Sequence, residues 1–389
     1  MRYYLQQFKE TVRKADLILL LLCVIATVFG CLIISSATGY MGSLRFIIVQ
    51  IGAAIFGIFL FFIMSSVDVE FFSEHRTALV VFNAVLLFML IPFGETINGN
   101  RSWVNLPILP FNIQVAEICK ITYILIMASV MAAHQNSISS VKSVIHMVTH
   151  LGILFLMNMV LSKDMGVSLI FVFIFVGMAF AGGLNLIWFL VAGGGIAVFL
   201  PILWNVVFDE YQRLRIQVLF NPALDPSGTG PLYHTNQSLR TLTGGGMTGQ
   251  GLYQGNRTQT GALFAQHTDY IFSSIGEELG YIGCIFAVVL LIAIVARCIW
   301  VGTRSQDYMR RLVCFGAASA LMFQVVINVG MCIGLMPVIG LTLPFISYGG
   351  SSLISTFLMI GLVSGVYARP APTSHERYIR PPYLTKPLR

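Results

Sequence analysis

The sequence predicts an all-helical membrane protein that crosses the bilayer about ten times. Of its 389 residues, 57% are hydrophobic and only 10% are charged, and the mean hydropathy is +0.83. Soluble domains usually carry about 25% charged residues. Because 16 acidic and 23 basic side chains cannot cover the surface of a globule of this size, a water-soluble protein is excluded.

Ten apolar runs have the length of a spanning helix, about 20 residues. They cover 17–36, 45–66, 78–93, 115–133, 145–162, 166–182, 184–207, 274–301, 311–335 and 345–367. Charged residues between the fifth and sixth runs indicate a turn at a water interface. We therefore expect a cytoplasmic N-terminal segment (1–16), a transmembrane domain (17–368) and a cytoplasmic tail (369–389), which we expect to be disordered.

The distribution of basic residues predicts the orientation in the membrane. With the N-terminus inside, 14 of the 23 Lys and Arg residues lie on the inner side, so both termini are expected in the cytoplasm. The long loop between the seventh and eighth helices, about 209–270, then lies outside and, since it is rich in aromatic and apolar residues, is expected to be ordered. Its first part, 209–220, suits an amphipathic helix on the outer membrane surface, or a solvated extension of the seventh helix.

Charge and cysteine content exclude two other classes of site. The net charge of +7 does not indicate nucleic-acid binding, because the basic residues are spread over termini and short loops and form no basic face. The seven cysteines lie in or beside apolar runs without a Cys-x-x-Cys pair. We interpret them as small apolar residues, and we expect neither disulfides nor a zinc site.

Ionisable residues in or beside the apolar runs are functional candidates, since a buried charge must be paired or face water. Glu117 and Lys120 are three residues apart on the fourth helix and can pair; a salt bridge that merely joins two helices is the alternative. Arg101 and Trp103 lie in an external turn, where the Trp suits the headgroup level and the Arg a phosphate. Asp164 lies at the outer tip between two helices, where a plain turn is the default interpretation.

The strongest cluster follows a glycine run at 244–251. It consists of four titratable groups where the long loop re-enters the membrane: His267, Asp269, Glu277 and Glu278. Such crowding raises carboxylate pKa values toward the range useful for proton abstraction. The glycines either let backbone N–H groups approach a phosphate or provide flexibility alone.

The segment 340–352 before the last helix contains Ser347, and free N–H groups at such a helix start offer an anion site. Helix packing through small residues explains the same composition.

Four motifs, in this order, resemble the signatures of the SEDS family (shape, elongation, division and sporulation), which includes RodA, FtsW and SpoVE. They are Met247–Gly251, Gln266–Phe272, Gly276–Gly280 and Leu343–Ser352. The resemblance covers nearly the whole membrane region. It implies a peptidoglycan glycosyltransferase that polymerises lipid II at the outer face of the bacterial plasma membrane, together with a class B penicillin-binding protein that cross-links the strands.

The resemblance also implies roles for individual residues. Asp269 matches the essential acid, Glu117 and Lys120 match a Glu-x-x-Lys pair, and Trp103 matches an external Trp. The full set of expected substrate-binding residues is Arg101, Trp103, Glu117, Lys120, Asp164, His267 and Ser347. The leaving pyrophosphate needs positive charge, which Arg101, Lys120, Arg213, Arg215 or a divalent cation, Mg²⁺ or Mn²⁺, would supply; no nucleic-acid partner is expected, whereas membrane lipid is.

The sequence departs from the family pattern at four places near these residues. The segments 115–118 and 162–166 replace the usual Pro-Ser-Glu-Leu and Gln-Pro-Asp-Leu-Gly. Ser102 stands where the family usually has Arg before the Trp, and Ala265 stands where it usually has Glu. These departures indicate a divergent branch with weakened or specialised activity. Two segments, 255–260 and 337–340, favour the elongation branch of the family, whereas 340–344 is closer to the division branch.

Two other functions remain open from the sequence. A lipid II transporter would use the intramembrane charges, and a non-catalytic scaffold would only bind a penicillin-binding protein.

Overall fold

The computed structural model describes residues 12–97, 100–105, 112–206, 210–228, 230 and 232–369. The expected cytoplasmic tail beyond Arg369 and most of the N-terminal segment lie outside these residues. The helices are α1 (Leu17–Ala37), α2 (Arg45–Ser66), α3 (Val69–Glu74), α4 (Arg76–Phe88), α5 (Leu90–Phe93), α6 (Val115–Ala133), α7 (Val141–Ser162), α8 (Met165–Ala181), α9 (Leu186–Val206), α10 (Glu210–Phe220), α11 (Tyr233–Gly244), α12 (Ile271–Arg304), α13 (Tyr308–Cys332) and α14 (Gly350–Ala368).

The expected membrane helices are present. Within the described residues, eight helical segments are long and apolar enough to cross a membrane: α1, α2, α4 with α5, α6, α7, α12, α13 and α14. Two more apolar helices, α8 and α9, occupy the sixth and seventh expected positions, with 17 and 21 residues. The prediction of an all-helical membrane protein is confirmed.

One helix start differs clearly from the prediction. The last helix begins at Gly350 rather than at 345. Phe345 has a φ of 64°, outside the helical range, and the backbone N–H of Tyr348 donates to the carbonyl of His267 instead of to its own segment. Tertiary hydrogen bonds therefore keep residues 345–349 out of the helix.

Helix α6 lies at the centre of the bundle. It is buried along almost its whole length and packs against α4, α8, α13 and α14. By contrast, α2 exposes apolar side chains such as Ile55 and Phe59, as expected for a helix that faces lipid. Because α6 is enclosed by protein, the two charges near its start, Glu117 and Lys120, lie inside the bundle.

A small antiparallel sheet precedes α6. Its strands are β1 (Gly94–Ile97), β2 (Asn100–Val104) and β3 (Ile113–Gln114), in the order β1-β2-β3. These strands are too short to give a recognisable alternation of apolar and polar residues, so the sequence does not predict them. The sheet carries Arg101, Ser102 and Trp103 to the end of the bundle at which α6 begins.

The described part of the long loop contains the helices α10 and α11. Its glycine run packs directly on α12. The N–H groups of Gln250 and Gly251 donate to the carbonyls of Glu277 and Glu278, both at 2.9 Å. A Cβ atom on Gly249 would lie 2.1 Å from the Glu278 carbonyl oxygen. The glycines therefore serve close backbone packing, a third explanation beside the two considered from the sequence.

Helix α12 is broken at Gly280, the point where the glycine run meets it. Gly280 has φ 68° and ψ −165°, a combination that essentially only glycine adopts. A Cβ atom here would lie 2.3 Å from the backbone nitrogen of Gly249. The break and the close contact together fix the long loop against the first turns of α12, directly after Asp269.

Candidate functional site

The candidate site lies where four parts of the chain meet at one end of the bundle. These are the stretch before α12, the irregular segment 333–349 before α14, the turn between α7 and α8, and the small sheet with the start of α6. The first part contributes Asp269, the third contributes Asp164, and the fourth contributes Glu117 and Lys120. Most of the residues expected from the sequence are thus brought to one region.

Hydrogen bonds fix the backbone of the His267–Asp269 stretch. The Asn328 side chain donates to the carbonyl oxygen of Asp269 at 2.8 Å, and the Ser347 hydroxyl donates to that of Thr268 at 2.6 Å. The N–H of Tyr348 donates to the carbonyl of His267 at 2.9 Å. Because three consecutive carbonyls are bonded to α13 and to the segment before α14, the direction in which Asp269 leaves the backbone is fixed.

The carboxylate of Asp269 itself is held differently. It is partly exposed, and no hydrogen bond from the described residues stabilises its charged form. Burial and, to a smaller extent, the negative charge of Asp164 together raise the pKa of Asp269 to about 6. A carboxylate that receives no hydrogen bond from the described residues and has a pKa near 6 is suited to accept a proton near neutral pH.

Asp164 caps the start of α8 and joins it to the small sheet. Its Oδ1 accepts from the N–H of Val167 at 3.1 Å, and its Oδ2 accepts from the hydroxyl of Ser102 at 3.1 Å. Burial raises the pKa of Asp164, while these hydrogen bonds lower it and the charge of Glu117 raises it. The turn expected here is confirmed, since the preceding Lys163 adopts a left-handed conformation with φ 58°.

Glu117 and Lys120 form the expected ion pair. The Nζ of Lys120 lies 2.9 Å from Oε2 of Glu117, and both side chains are almost completely buried. The hydroxyl of Ser355 on α14 donates to the same oxygen at 2.5 Å. The pair therefore links α6 to α14 through Ser355, and its carboxylate is close enough to Asp164 to raise the pKa of that residue.

The structure corrects the predicted cluster of four titratable groups. Glu277 accepts from the hydroxyl of Thr258 at 2.6 Å, and Glu278 accepts from the hydroxyl of Ser36 at 2.5 Å. Both carboxylates hold the long loop, and the charge that acts on Asp269 is that of Asp164. The prediction that Glu277 and Glu278 crowd Asp269 is wrong, because their carboxylates are bonded to Thr258 and to Ser36 and Gln259 instead.

Two expected substrate-binding residues are engaged within the protein. Arg101 donates to the backbone carbonyls of Gly94 and Ile91, so its guanidinium braces the sheet against α5. The Ser347 hydroxyl donates to Thr268 and accepts from the N–H of Leu343 at 2.8 Å, so it holds the backbone around Asp269. A direct contact of either residue with a substrate stays a prediction.

Two further expected residues are Trp103 and His267. Trp103 lies in β2 opposite Gln114 and Glu95. The His267 ring packs edge-on against Phe46, with ring centroids 5.0 Å apart. Burial lowers the pKa of His267, so the ring is neutral at pH 7. Neutral His267 does not supply positive charge for a phosphate.

Two residues of the site were missed in the sequence. Asn328 bonds Asp269 directly, and Gln50 on α2 donates to the carbonyl of Ser347 at 3.1 Å and accepts from the N–H of Gly349 at 3.2 Å. Both amides are completely buried within long apolar helices. An uncharged amide inside an apolar run needs hydrogen-bond partners, and this is the signal that would have found them.

The carboxylate of Asp164 is the group that would hold a divalent cation here. Among the described residues, no group of three or more His, Cys, Asp or Glu side chains is arranged to hold a metal ion. Mg²⁺ is often bound by one or two carboxylates together with substrate phosphates and water. The donor set therefore fits an ion only in combination with a bound diphosphate.

Comparison with known proteins places these features in a family context. The sequence model of the family that unites FtsW, RodA and SpoVE, described as "Cell cycle protein", matches residues 14–370. Peptidoglycan glycosyltransferase MrdB of Escherichia coli K12 is 30% identical over 355 residues, 90% of this chain and 93% of that protein. The probable peptidoglycan glycosyltransferase FtsW of Trichlorobacter lovleyi is 32% identical over 364 residues, 91% of this chain and 93% of that protein.

A solved structure is similar over the same extent. It is described as "Structural coordination of polymerization and crosslinking by a peptidoglycan synthase complex", with a TM-score of 0.76 and 28% sequence identity. The match covers 91% of this chain and 97% of that one. The similarity therefore extends over most of the chain.

Proposed function

Because this chain belongs to the SEDS family of FtsW, RodA and SpoVE proteins, we propose that it is a peptidoglycan glycosyltransferase that polymerises lipid II. The observation that carries the proposal is Asp269, a carboxylate with a pKa raised to about 6 on a backbone held by three hydrogen bonds. A rigidly placed base of this kind is what the transfer of a sugar to a hydroxyl group requires.

In the proposed reaction, the 4-hydroxyl of an acceptor GlcNAc attacks the anomeric carbon of a donor MurNAc. The new glycosidic C–O bond forms as the bond from the anomeric carbon to the pyrophosphate oxygen breaks. Asp269 accepts the hydroxyl proton, and undecaprenyl pyrophosphate leaves with the bonding electron pair. Asp269 must be deprotonated at the start of each cycle, and it returns its proton to water afterwards.

The leaving pyrophosphate requires positive charge at the site. Lys120 is one candidate for this role; the support is its ion pair with Glu117, whose charge acts on Asp164. Arg213 and Arg215, which begin the long loop on α10, are further candidates. A divalent cation held by Asp164 and the substrate would supply additional charge to the departing phosphate.

We further propose that the site faces the outside of the plasma membrane, with both termini in the cytoplasm. The support is the excess of Lys and Arg at the ends of the helices that lie on the same side as the termini, because basic residues favour the cytoplasmic side. The similarity to a chain of a peptidoglycan synthase complex supports a class B penicillin-binding protein as the partner. The apolar side chains exposed on α2, α7 and α12 fit contact with membrane lipid.

The test is polymerisation of labelled lipid II by the purified chain, alone and with a class B penicillin-binding protein. Glycan ladders in either preparation support the proposal. A preparation that binds lipid II and the partner but makes no polymer contradicts it. Transport of lipid II across vesicle membranes would then distinguish a transporter from a scaffold.

The pH dependence of this reaction should respond to Asp164. Polymerisation is expected to fall as the pH drops through about 6, because Asp269 becomes protonated. Asp164→Asn removes a negative charge that raises the pKa of Asp269, so the pH at which the rate is half-maximal (the midpoint) should fall. Asn is itself a good helix N-cap, so the start of α8 should remain folded.

The measurement is the initial rate against pH for the wild-type chain, Asp164→Asn and a control, Asp225→Asn. Asp225 accepts hydrogen bonds from Gly230 and Leu232 within the long loop and does not act on the pKa of Asp269. Its substitution should leave the midpoint unchanged. A midpoint that stays fixed or rises in Asp164→Asn would contradict the assignment.

A further inference from the structure

One buried amide joins the catalytic stretch to the segment before α14. Asn328 lies on α13 and is completely buried. Its Nδ2 donates to the carbonyl of Asp269 at 2.8 Å and to the carbonyl of Leu341 at 2.7 Å. An amide nitrogen carries two N–H donors, so Asn328 uses its full donor capacity to hold these two segments at a fixed separation.

The segment that Asn328 holds is also a wall beside the Asp269 carboxylate. A Cβ atom on Gly340 would lie 3.5 Å from Oδ2 of Asp269. On its other side the wall meets α8, because a Cβ atom on Gly166 would lie 2.4 Å from the side chain of Ile339 and 3.3 Å from that of Leu341. Residues 339–341 therefore lie between Asp269 and the helix start that Asp164 caps.

We propose that Asn328 is a positioning residue, which sets the place of the Asp269 carboxylate relative to this wall and to Asp164. The proposal rests on the proposed glycosyltransferase function. Among the described residues, the Asp269 carbonyl has one other partner besides Asn328, the Cys332 thiol, which donates a weak hydrogen bond at 3.7 Å. Ser347 and Tyr348 hold the neighbouring residues, so Asn328 provides the strong hydrogen bond at Asp269 itself.

Loss of the amide has a specific consequence for Asp269. Without the shared donor, the Asp269 backbone and residues 340–341 are free to separate, and the carboxylate gains contact with water and distance from Asp164. Both changes favour its charged form, so its pKa should fall from about 6 toward that of an ordinary aspartate. A base that is displaced and less basic should also transfer the proton more slowly.

The test uses Asn328→Leu, which keeps the branched shape and the number of heavy atoms of the side chain and removes both donors. The matched control is Asn83→Leu. Asn83 is another buried amide; it accepts a hydrogen bond from the Thr122 hydroxyl at 2.5 Å and does not contact Asp269. In the purified chain, we expect Asn328→Leu to lower kcat about tenfold or more and to change KM for lipid II less than twofold. The fall of the rate on the acid side of the pH profile should move to lower pH. Asn83→Leu should leave the pH midpoint of the remaining activity unchanged.

A second measurement keeps the proposal testable if the chain makes no polymer. Carbodiimide modification of Asp269, followed by mass spectrometry at a series of pH values, reports the protonation of this carboxyl without any turnover. A lower midpoint in Asn328→Leu than in the wild type and Asn83→Leu supports the positioning role. Equal midpoints in all three proteins overturn the positioning role, whether or not glycan is formed. If the wild-type chain makes no polymer from lipid II, that result counts against the proposed function and not against the positioning role.

Discussion

Replacing Asp269 with Asn is expected to lower glycan polymerisation by at least about 100-fold, the usual contribution of a positioned base. Asn has nearly the same shape, but its amide cannot accept the proton of the attacking hydroxyl. The fold should persist, because the backbone carbonyls of residues 267–269 make the hydrogen bonds to α13 and to the segment before α14. The loss should therefore fall on the chemical step.

The experiment compares wild type, Asp269→Asn and Asp225→Asn in the same detergent and at the same pH. Rates come from glycan ladders, and stability comes from thermal unfolding monitored by fluorescence. Asp269→Asn should bind lipid II and the penicillin-binding protein as the wild type does. Polymer formed by Asp269→Asn at a wild-type rate would show that another group removes the proton.

The positions of the membrane helices followed from the sequence because the bilayer imposes a minimum apolar length. The departures occur where backbone groups find partners elsewhere in the fold. Residues 345–349 are apolar enough to extend the last helix, yet the N–H of Tyr348 bonds His267 across the site. Likewise, the break at Gly280 depends on the glycine run that packs on it, and apolar periodicity carries no information on such a contact.

Within the site, the spacing of residues along the chain predicted only contacts between residues on the same helix. Glu117 and Lys120 pair because three residues on a helix bring them to one face. The influence of Asp164 on Asp269 joins the α7–α8 turn to the stretch before α12, and the bond from Asn328 joins α13 to the same stretch. These relations depend on how the helices pack, which the order of residues along the chain does not determine.

Two of the departures from the family pattern have structural explanations. The hydroxyl of Ser102 is buried and bonds Asp164 and Ser162, so the sheet remains joined to α8. Ala265 adopts a left-handed conformation with φ 53°, and its carbonyl accepts from the N–H groups of Thr268 and Tyr270. Both positions support the backbone of the site, and their effect on activity stays a prediction.

The second large effect is expected from Lys120→Met. This change leaves the Glu117 carboxylate buried without its counter-charge, since both side chains are almost completely enclosed. Removal of one partner from a buried ion pair costs about 3–5 kcal/mol. We therefore expect a clearly lower thermal unfolding temperature and little or no polymer from the folded fraction.

A double variant, Glu117→Gln with Lys120→Met, separates stability from catalysis. It removes both charges, and the Gln amide retains an oxygen that can accept from the Ser355 hydroxyl, so much of the lost stability should return. If Lys120 stabilises the leaving pyrophosphate, polymerisation should stay low although the protein is folded. Recovery of the wild-type rate together with stability would show that the pair only joins α6 to α14. The positive charge for the leaving group would then have to come from Arg213, Arg215 or a divalent cation, and variants of those two arginines become the next measurement.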